Sequence, residues 1–383
     1  MYIPYGKQDI TQEDIEHVTQ VLESDFLTQG PVIPRFENMI ADVTKAKFAT
    51  AVNSATSALH IACLALGVRK GDCVWTVSNT FVASANCVRY CGADIDFVDI
   101  NPRTYNISIE NLKIKLIMAQ KAGRLPKVVI PVHFSGEPCD LVAIKSLSEE
   151  FNFKIIEDAS HAIGGHYNDR PIGSCKYSDI TVFSFHPVKI VTSGEGGAAL
   201  TNCSELDHRM KLLRSHGITR DRRKMVYPVN NSWYYEQIDL GFNYRMTDIH
   251  AALGLSQLSR LQKYVDRRHE IAKIYDQELS NSKLQLPFRH ADNKSALHLY
   301  VIQVDEEKHD SIFHNLLEKN IGVNIHYIPV HTQPYYQKLG FKWGDFPNSE
   351  LYYKKAISLP IFPALTLDEQ KYVIDMVKLL CNE

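Results

Sequence analysis

From Phe48 to Thr201 the apolar positions fall into short β-branched runs separated by longer stretches with helical spacing. The runs Phe48–Val52, Cys73–Val77, Ile95–Asp99, Lys127–Phe134, Lys154–Asp158, Ile180–Phe183 and Ala198–Thr201 read as strands. Ala58–Leu66, Ser84–Tyr90 and Leu141–Phe151 read as the helices between them. Apolar strands alternating with helices predict a mostly parallel sheet covered on both faces. Upstream, an amphipathic helix runs from about Thr11 to Glu23, and Thr11-Gln-Glu-Asp14 resembles a capping box with Asp in place of Glu or Gln. Ser24–Pro31 is a polar, turn-rich loop.

Beyond residue 203 the pattern turns more helical, with a strong run inside Gly241–Leu261 and a long connecting helix over Arg267–Leu279. It then resets into a strand at Leu297–Val304, a helix near His309–Lys319, a strand at Val323–His326 and a terminal helix near Leu367–Leu380. This break predicts two domains: an N-terminal segment with a large α/β domain over 1–265, and a smaller α+β domain over 266–383.

Composition narrows the function. A net charge of −2 argues against nucleic-acid or membrane-surface partners, and no run of eighteen apolar residues exists. Eight scattered cysteines without C-x-x-C, and sixteen histidines without H-E-x-x-H, give no metal case. The expectation is a reduced, cytoplasmic protein acting on small molecules.

Four stretches carry candidate chemistry. Ser184-Phe-His-Pro-Val-Lys-Ile-Val-Thr-Ser-Gly-Glu-Gly-Gly197 places Lys189 on an irregular turn at a strand end, because Pro187 forbids a regular helix and the glycines permit unusual angles. Such a lysine forms a Schiff base when its pKa is depressed; a lone lysine on a loop reads first as surface, and only its company elsewhere in the chain overturns that reading. Asp158 ends a buried strand, where a carboxylate needs a cationic partner such as a pyridinium nitrogen, a salt bridge or a helix cap. Asn53-Ser-Ala-Thr-Ser57 joins a strand to a helix and suits either a phosphate or an ordinary cap. Phe81 would stack on a flat ring or fill core, Asn243 reads as a cap, and His161 reads as a satisfied histidine. Gly194-Glu-Gly-Gly-Ala-Ala199 matches a dinucleotide fingerprint only formally, since it precedes a strand-like run instead of opening a helix.

Together NSATSALH, SNTFVASAN, EDASHAIGG, the Lys189 block, RSHGITR and GFNYRMTDIHAALGLSQL resemble the DegT-type family of pyridoxal 5′-phosphate sugar aminotransferases. The resemblance spans essentially the whole chain and implies the aspartate-aminotransferase-like fold type I. It implies Lys189 as the Schiff-base lysine, Asp158 as the partner of the pyridine nitrogen and Phe81 as the stacking residue. Ser54, Ala55, Thr56, His161 and Ser184 fall among the cofactor-binding positions. Asn243 matches a residue that reaches the phosphate of a neighbouring subunit in a homodimer. Family members with histidine in place of the lysine are dehydratases, so transamination is favoured. Non-catalytic sensing is a further alternative.

IPYGKQDI, SDFLTQGP and HYIPVHTQPYYQKLGF are similar to the family members that use L-glutamate to aminate C4 of a UDP-linked 4-keto-6-deoxy-N-acetyl hexose in pseudaminic acid biosynthesis. That likeness makes Tyr5, Asp25, Phe26, Leu27, Thr28, His326, Tyr327, Ile328 and Pro329, with Ala55, Ser184 and Asn243, candidate substrate contacts. Amination of another 4-keto or 3-keto sugar nucleotide stays open.

Overall fold

A computed structural model describes residues 2–227 and 231–382. Its centre is a seven-stranded sheet of β1 (Phe48–Val52), β2 (Cys73–Val77), β3 (Asp94–Val98), β4 (Val128–Ile130), β5 (Lys154–Asp158), β6 (Ile180–Ser184) and β7 (Gly197–Thr201). The strand order is β1-β7-β6-β5-β4-β2-β3. Only β7 is antiparallel to its neighbours. Alternate residues feed two cores, as the strand period of two requires: Trp75, Val129, Ile155 and Phe183 on one face, Val74, Val128, Ile156 and Val182 on the other. The sheet is mostly parallel and helix-covered, as the alternation of patterns implied.

Helix α1 (Gln12–Leu22) opens with the Thr11 N–H donating to Asp14 Oδ2 at 2.9 Å, so the shorter Asp performs the box's return bond. Among the helices that escape the sequence reading are α2 (Val32–Thr44), Ile109–Lys121 and the short Pro347–Tyr353. Helix α3 (Ala55–Ala65) begins three residues before the expected start, directly at the end of β1. Strand β4 stops at Ile130, well short of Phe134, because Pro131 has no N–H to give a ladder. Helices α4 (Ala83–Tyr90), α5 (Asp248–Ser259) and α6 (Leu261–Leu279) follow.

A third core of Ile271, Tyr275, Tyr300, Ile302, Leu316, Ile357 and Val373 lies in the C-terminal part. Its ladder pairs Tyr300–Gln303 with Ala356–Leu359. Val323–His326 forms no strand: Asn324 makes only an isolated bridge to Ser358. The N-terminal segment, expected with the first domain, crosses to this core. Ile3 N–H donates to Asn320 O at 2.9 Å and Ile361 N–H to Tyr5 O at 3.0 Å, which carries Tyr5 to the sheet's carboxyl edge. Among the described residues no helix is long and apolar enough to cross a membrane, and no cluster of metal-ligating side chains occurs.

Candidate active site

A cavity of about 500 Å³ opens where β2, β5 and β6 end, the side on which parallel sheets present their loops. After β6 the chain folds back on itself. Phe185 N–H donates to Gly196 O at 3.0 Å and Ser193 N–H to Phe185 O at 2.9 Å, closing an irregular loop around Lys189. Gly194 takes a φ of 79° there, a region glycine enters without strain. The Lys189 side chain lies among buried neighbours but keeps part of its surface open to the cavity. Burial pushes its ammonium down to about 8, against the opposing attraction of Asp158. About a tenth is therefore a free amine at pH 7, far more than for an ordinary lysine.

Asp158, 5% exposed, ends β5 in the same cavity. The Ser84 hydroxyl donates to its Oδ2 at 2.6 Å, and the Ser160 N–H donates to Oδ1 at 3.1 Å. Because the Ser84 proton is spent on the carboxylate, the Thr80 hydroxyl 2.8 Å away donates to Ser84. Two donors thus fix the orientation of this buried carboxylate.

The β1–α3 turn forms a second wall. Ser54 caps α3, its Oγ accepting from Ser57 N–H at 3.1 Å, while Ala58 N–H pairs with Ser54 O. The N–H groups of Ala55 and Thr56 thus carry no main-chain partner, and both residues line the cavity at the positive end of the helix. A Cβ on Gly197 would stand 2.5 Å from Ala55 N, so only glycine lets β7 pass this close beneath the helix start. Ser184 lines the floor.

Opposite, Ser135 N–H donates to His161 Nδ1 at 3.3 Å, and His161 Nε2 lies 3.0 Å from the Tyr327 hydroxyl. Phe81 is 57% exposed within the cavity wall, its ring centroid 6.0 Å from that of Tyr327. Tyr5, His326 and Ile328 complete this side, and Pro329 is buried outside the wall. His326 Nδ1 bonds Ser358 Oγ at 2.8 Å, and burial pushes its pKa down to about 3.

The remaining sequence candidates are not gathered in the chain's own cavity. Asn243 is exposed, bridging to Ser215, and Asp25, Phe26, Leu27 and Thr28 are exposed beside the start of α5, where Asp248 N–H donates to Leu27 O at 2.9 Å. Sequence reasoning missed Thr80, Ser84, Ser160, His298 and Asn324. Ser84 and Thr80 were open to discovery, since both flank Phe81 in one block; His298 and Asn324 come from distant loops and carry no local signal.

A family model described as the DegT/DnrJ/EryC1/StrS aminotransferase family matches residues 8–378. The chain belongs to that family. SpsC of Bacillus subtilis, a spore coat polysaccharide biosynthesis protein, is 40% identical across 98% of this chain and 96% of its own. A UDP-4-amino-4,6-dideoxy-N-acetyl-β-L-altrosamine transaminase of Campylobacter jejuni is 36% identical across 97% of this chain and 96% of its own. Helicobacter pylori PseC, an aminotransferase of pseudaminic acid biosynthesis, superposes with a TM-score of 0.92 at 29% identity, covering all of both chains. The DegT-family chain is therefore a pyridoxal-phosphate-dependent sugar aminotransferase of fold type I.

The cavity fits that cofactor on its own chemistry. Unpartnered N–H groups at a helix start suit a phosphate, a buried carboxylate with spare lone pairs suits a protonated ring nitrogen, and an exposed phenyl ring suits a flat heterocycle. The Lys189 amine in the same cavity suits the cofactor's aldehyde.

Proposed function

We propose that the enzyme moves the amino group of L-glutamate to C4 of a nucleotide-linked 4-keto-6-deoxy sugar. The substrate is of the UDP-4-keto-6-deoxy-N-acetyl-L-altrosamine type, giving UDP-4-amino-4,6-dideoxy-N-acetyl-β-L-altrosamine. Full-length likeness to the altrosamine transaminases and to PseC, with an amine and a buried carboxylate sharing one cavity, carries this reading.

Pyridoxal phosphate supplies an electron sink for the carbon that loses or gains a proton. Lys189 would hold the cofactor through its amine and, once the amine of glutamate had taken that place, would carry the donor's α-proton from the carbon on one side of the shared nitrogen to the carbon on the other. A value near 8 suits both directions of that transfer. Asp158 keeps the ring nitrogen protonated, helped by Ser84. The α3 start, with Ser54, Ala55, Thr56 and Ser184, fixes the phosphate, and Phe81 covers one ring face.

The functional unit in this reading is a cytoplasmic homodimer with shared sites. Asn243 and Asp25–Thr28 lie exposed and outside their own cavity, as contributions to a neighbour's cavity would require. Tyr5, His326, Tyr327 and Ile328 approach the sugar from the same chain, while Pro329 holds their loop from outside the cavity. The 40% identity to SpsC supports a second reading, amination of a different keto sugar nucleotide with the same chemistry.

The test is spectral. L-glutamate added to the cofactor-loaded protein should shift the cofactor's visible absorbance to the amine form and release 2-oxoglutarate. An unchanged spectrum with every amino donor would favour a dehydratase and contradict transamination.

A further inference from the structure

Helix α2 starts without a cap of its own: Pro31 stands at the cap position and offers no side-chain hydrogen bond. The cap comes from Asp248, the first residue of α5, 216 positions beyond Val32. Its Oδ1 accepts from the Val32 N–H at 2.9 Å, and its Oδ2 accepts from the Gly30 N–H at 2.8 Å. Its main-chain N–H donates to Leu27 O at 2.9 Å, and Thr247 beside it forms an antiparallel bridge to Thr28. One fully buried residue thus grips the backbone at three points from Leu27 to Val32, and it meets the positive ends of two helices, α2 and α5. Glycine is required at position 30, where a Cβ would stand 2.5 Å from Phe26 Cβ and 2.9 Å from Asp248 Oδ1. The backbone is held, yet Phe26 and Leu27 keep 53% and 46% of their surface exposed. A turn clamped this way presents its outward side chains in one arrangement, ready-made for a contact outside the chain.

We propose that Asp248 is a positioning residue for sugar-nucleotide recognition: it holds Asp25, Phe26, Leu27 and Thr28 in the arrangement that the cavity of a neighbouring subunit takes up. The inference rests on the reading in which these residues serve a neighbour's cavity and not their own. A loop that visits its competent shape only part of the time lowers apparent affinity by that fraction. Two hydrogen bonds to a buried carboxylate remove most of that loss. The effect is confined to the sugar step. The turn that opens α3 is tied to the segment before Asp248 by its own bonds: Asn53 N–H donates to Tyr244 O at 2.9 Å, and Val52 bridges to Arg245. Lys189 and Asp158 face their own chain's cavity, whose wall includes neither Asp248 nor the Asp25–Thr28 turn.

Kinetics on the cofactor-loaded full chain test it. In Asp248→Asn the amide oxygen replaces one acceptor, while the amide nitrogen opposes the other N–H. The half-reaction with L-glutamate, followed by absorbance, should keep the wild-type rate. KM for the UDP-linked 4-keto-6-deoxy-N-acetyl sugar should rise about tenfold with kcat little changed. Gly30→Ala pushes the loop from its own side and should show the same split, which keeps the test decisive if Asp248→Asn does not fold. Equal loss in both half-reactions, or an unmoved KM in either folded variant, would overturn Asp248 as a positioning residue. Subunit exchange between Asp248→Asn and Lys189→Ala chains gives a second readout. About half the dimers then join an intact Lys189 to a partner's intact loop, so the rate at low sugar concentration should rise roughly fivefold. Confirmed exchange without that rise would place the loop over its own cavity and overturn the proposal. Wild type that completes the glutamate half-reaction yet aminates no UDP-linked sugar overturns the substrate reading and this proposal together.

Discussion

Ser84 Oγ donates to Asp158 Oδ2 across 2.6 Å, joining the second residue of a helix to the last residue of a strand seventy-four positions later. The carboxylate is thereby oriented with its remaining lone pairs toward the cavity. Replacing Asp158 with Asn keeps size and hydrogen bonding but removes the charge. The half-reaction with L-glutamate should slow by several orders of magnitude while cofactor still binds. Ser84→Ala leaves the charge and loosens its aim, so a loss of about tenfold is expected, with Ser84→Thr restoring most of it. Stopped-flow absorbance measures both; an Asp158→Asn rate within about threefold of wild type would mean another group serves the ring nitrogen.

Lys189 carries a stability cost that can be measured without substrate. Its folded pKa, about 8, lies below the ordinary value of 10.5, so between these limits the unfolded chain binds more protons than the folded one. Stability of the cofactor-free protein should therefore rise with pH across that window. Below pH 8 the burial penalty is fully present. Lys189→Met should melt at a higher temperature than wild type at pH 7, with the advantage shrinking as pH rises through 8 toward 10.5. Calorimetry at a series of pH values checks this, and a variant less stable than wild type at pH 7 would show that the lysine contributes more packing than it costs.

Gly197→Ala probes the phosphate cradle without touching a polar group. The added methyl would meet Ala55 N and its neighbours, forcing β7 and the start of α3 apart. Pyridoxal phosphate should bind about tenfold more weakly, through lost N–H contacts to the phosphate. Binding of pyridoxal, which lacks the phosphate, should change little, and equal loss for both would point to a general disruption.

The proposed sharing of sites between subunits has its own signature. A Lys189→Ala chain still offers Asn243, and an Asn243→Ala chain still offers Lys189. After subunit exchange, each mixed dimer owns one site with both defects and one with neither. Activity should climb above either parent toward about a quarter of wild type, because about half of randomly paired dimers are mixed. Tagged chains verify exchange; exchange without recovered activity would place Asn243 in its own chain's service.

The strands were legible because buried parallel strands are built on apolar, β-branched runs, and Cys73–Val77 and Lys154–Asp158, the latter around Ile155-Ile156, end where the structure ends them. The helix Ile109–Lys121 was not, since its apolar residues spread around the axis and only Leu112 and Leu116 are buried. Helix α2 hid behind Pro34, which reads as a breaker but is tolerated in a first turn. In the site, Lys189, Asp158 and the Asn53–Ser57 turn announced themselves by their place at strand ends. Their tertiary partners did not: Ser84 holds Asp158, while Ser135 and His298 contact His161, Ser135 through a main-chain N–H that no side-chain pattern encodes.

Transfer of nitrogen from glutamate to a 4-keto sugar nucleotide is tested directly by incubation with L-glutamate labelled with ¹⁵N at the α-amine and a panel of UDP-, dTDP- and GDP-linked 4-keto-6-deoxy sugars, read by mass spectrometry and NMR. The UDP-linked N-acetyl substrate of altrosamine configuration should gain the labelled amine at C4, with one equivalent of 2-oxoglutarate formed. A product that has lost an oxygen without gaining ¹⁵N, or no labelled product from any sugar in the panel, would contradict it.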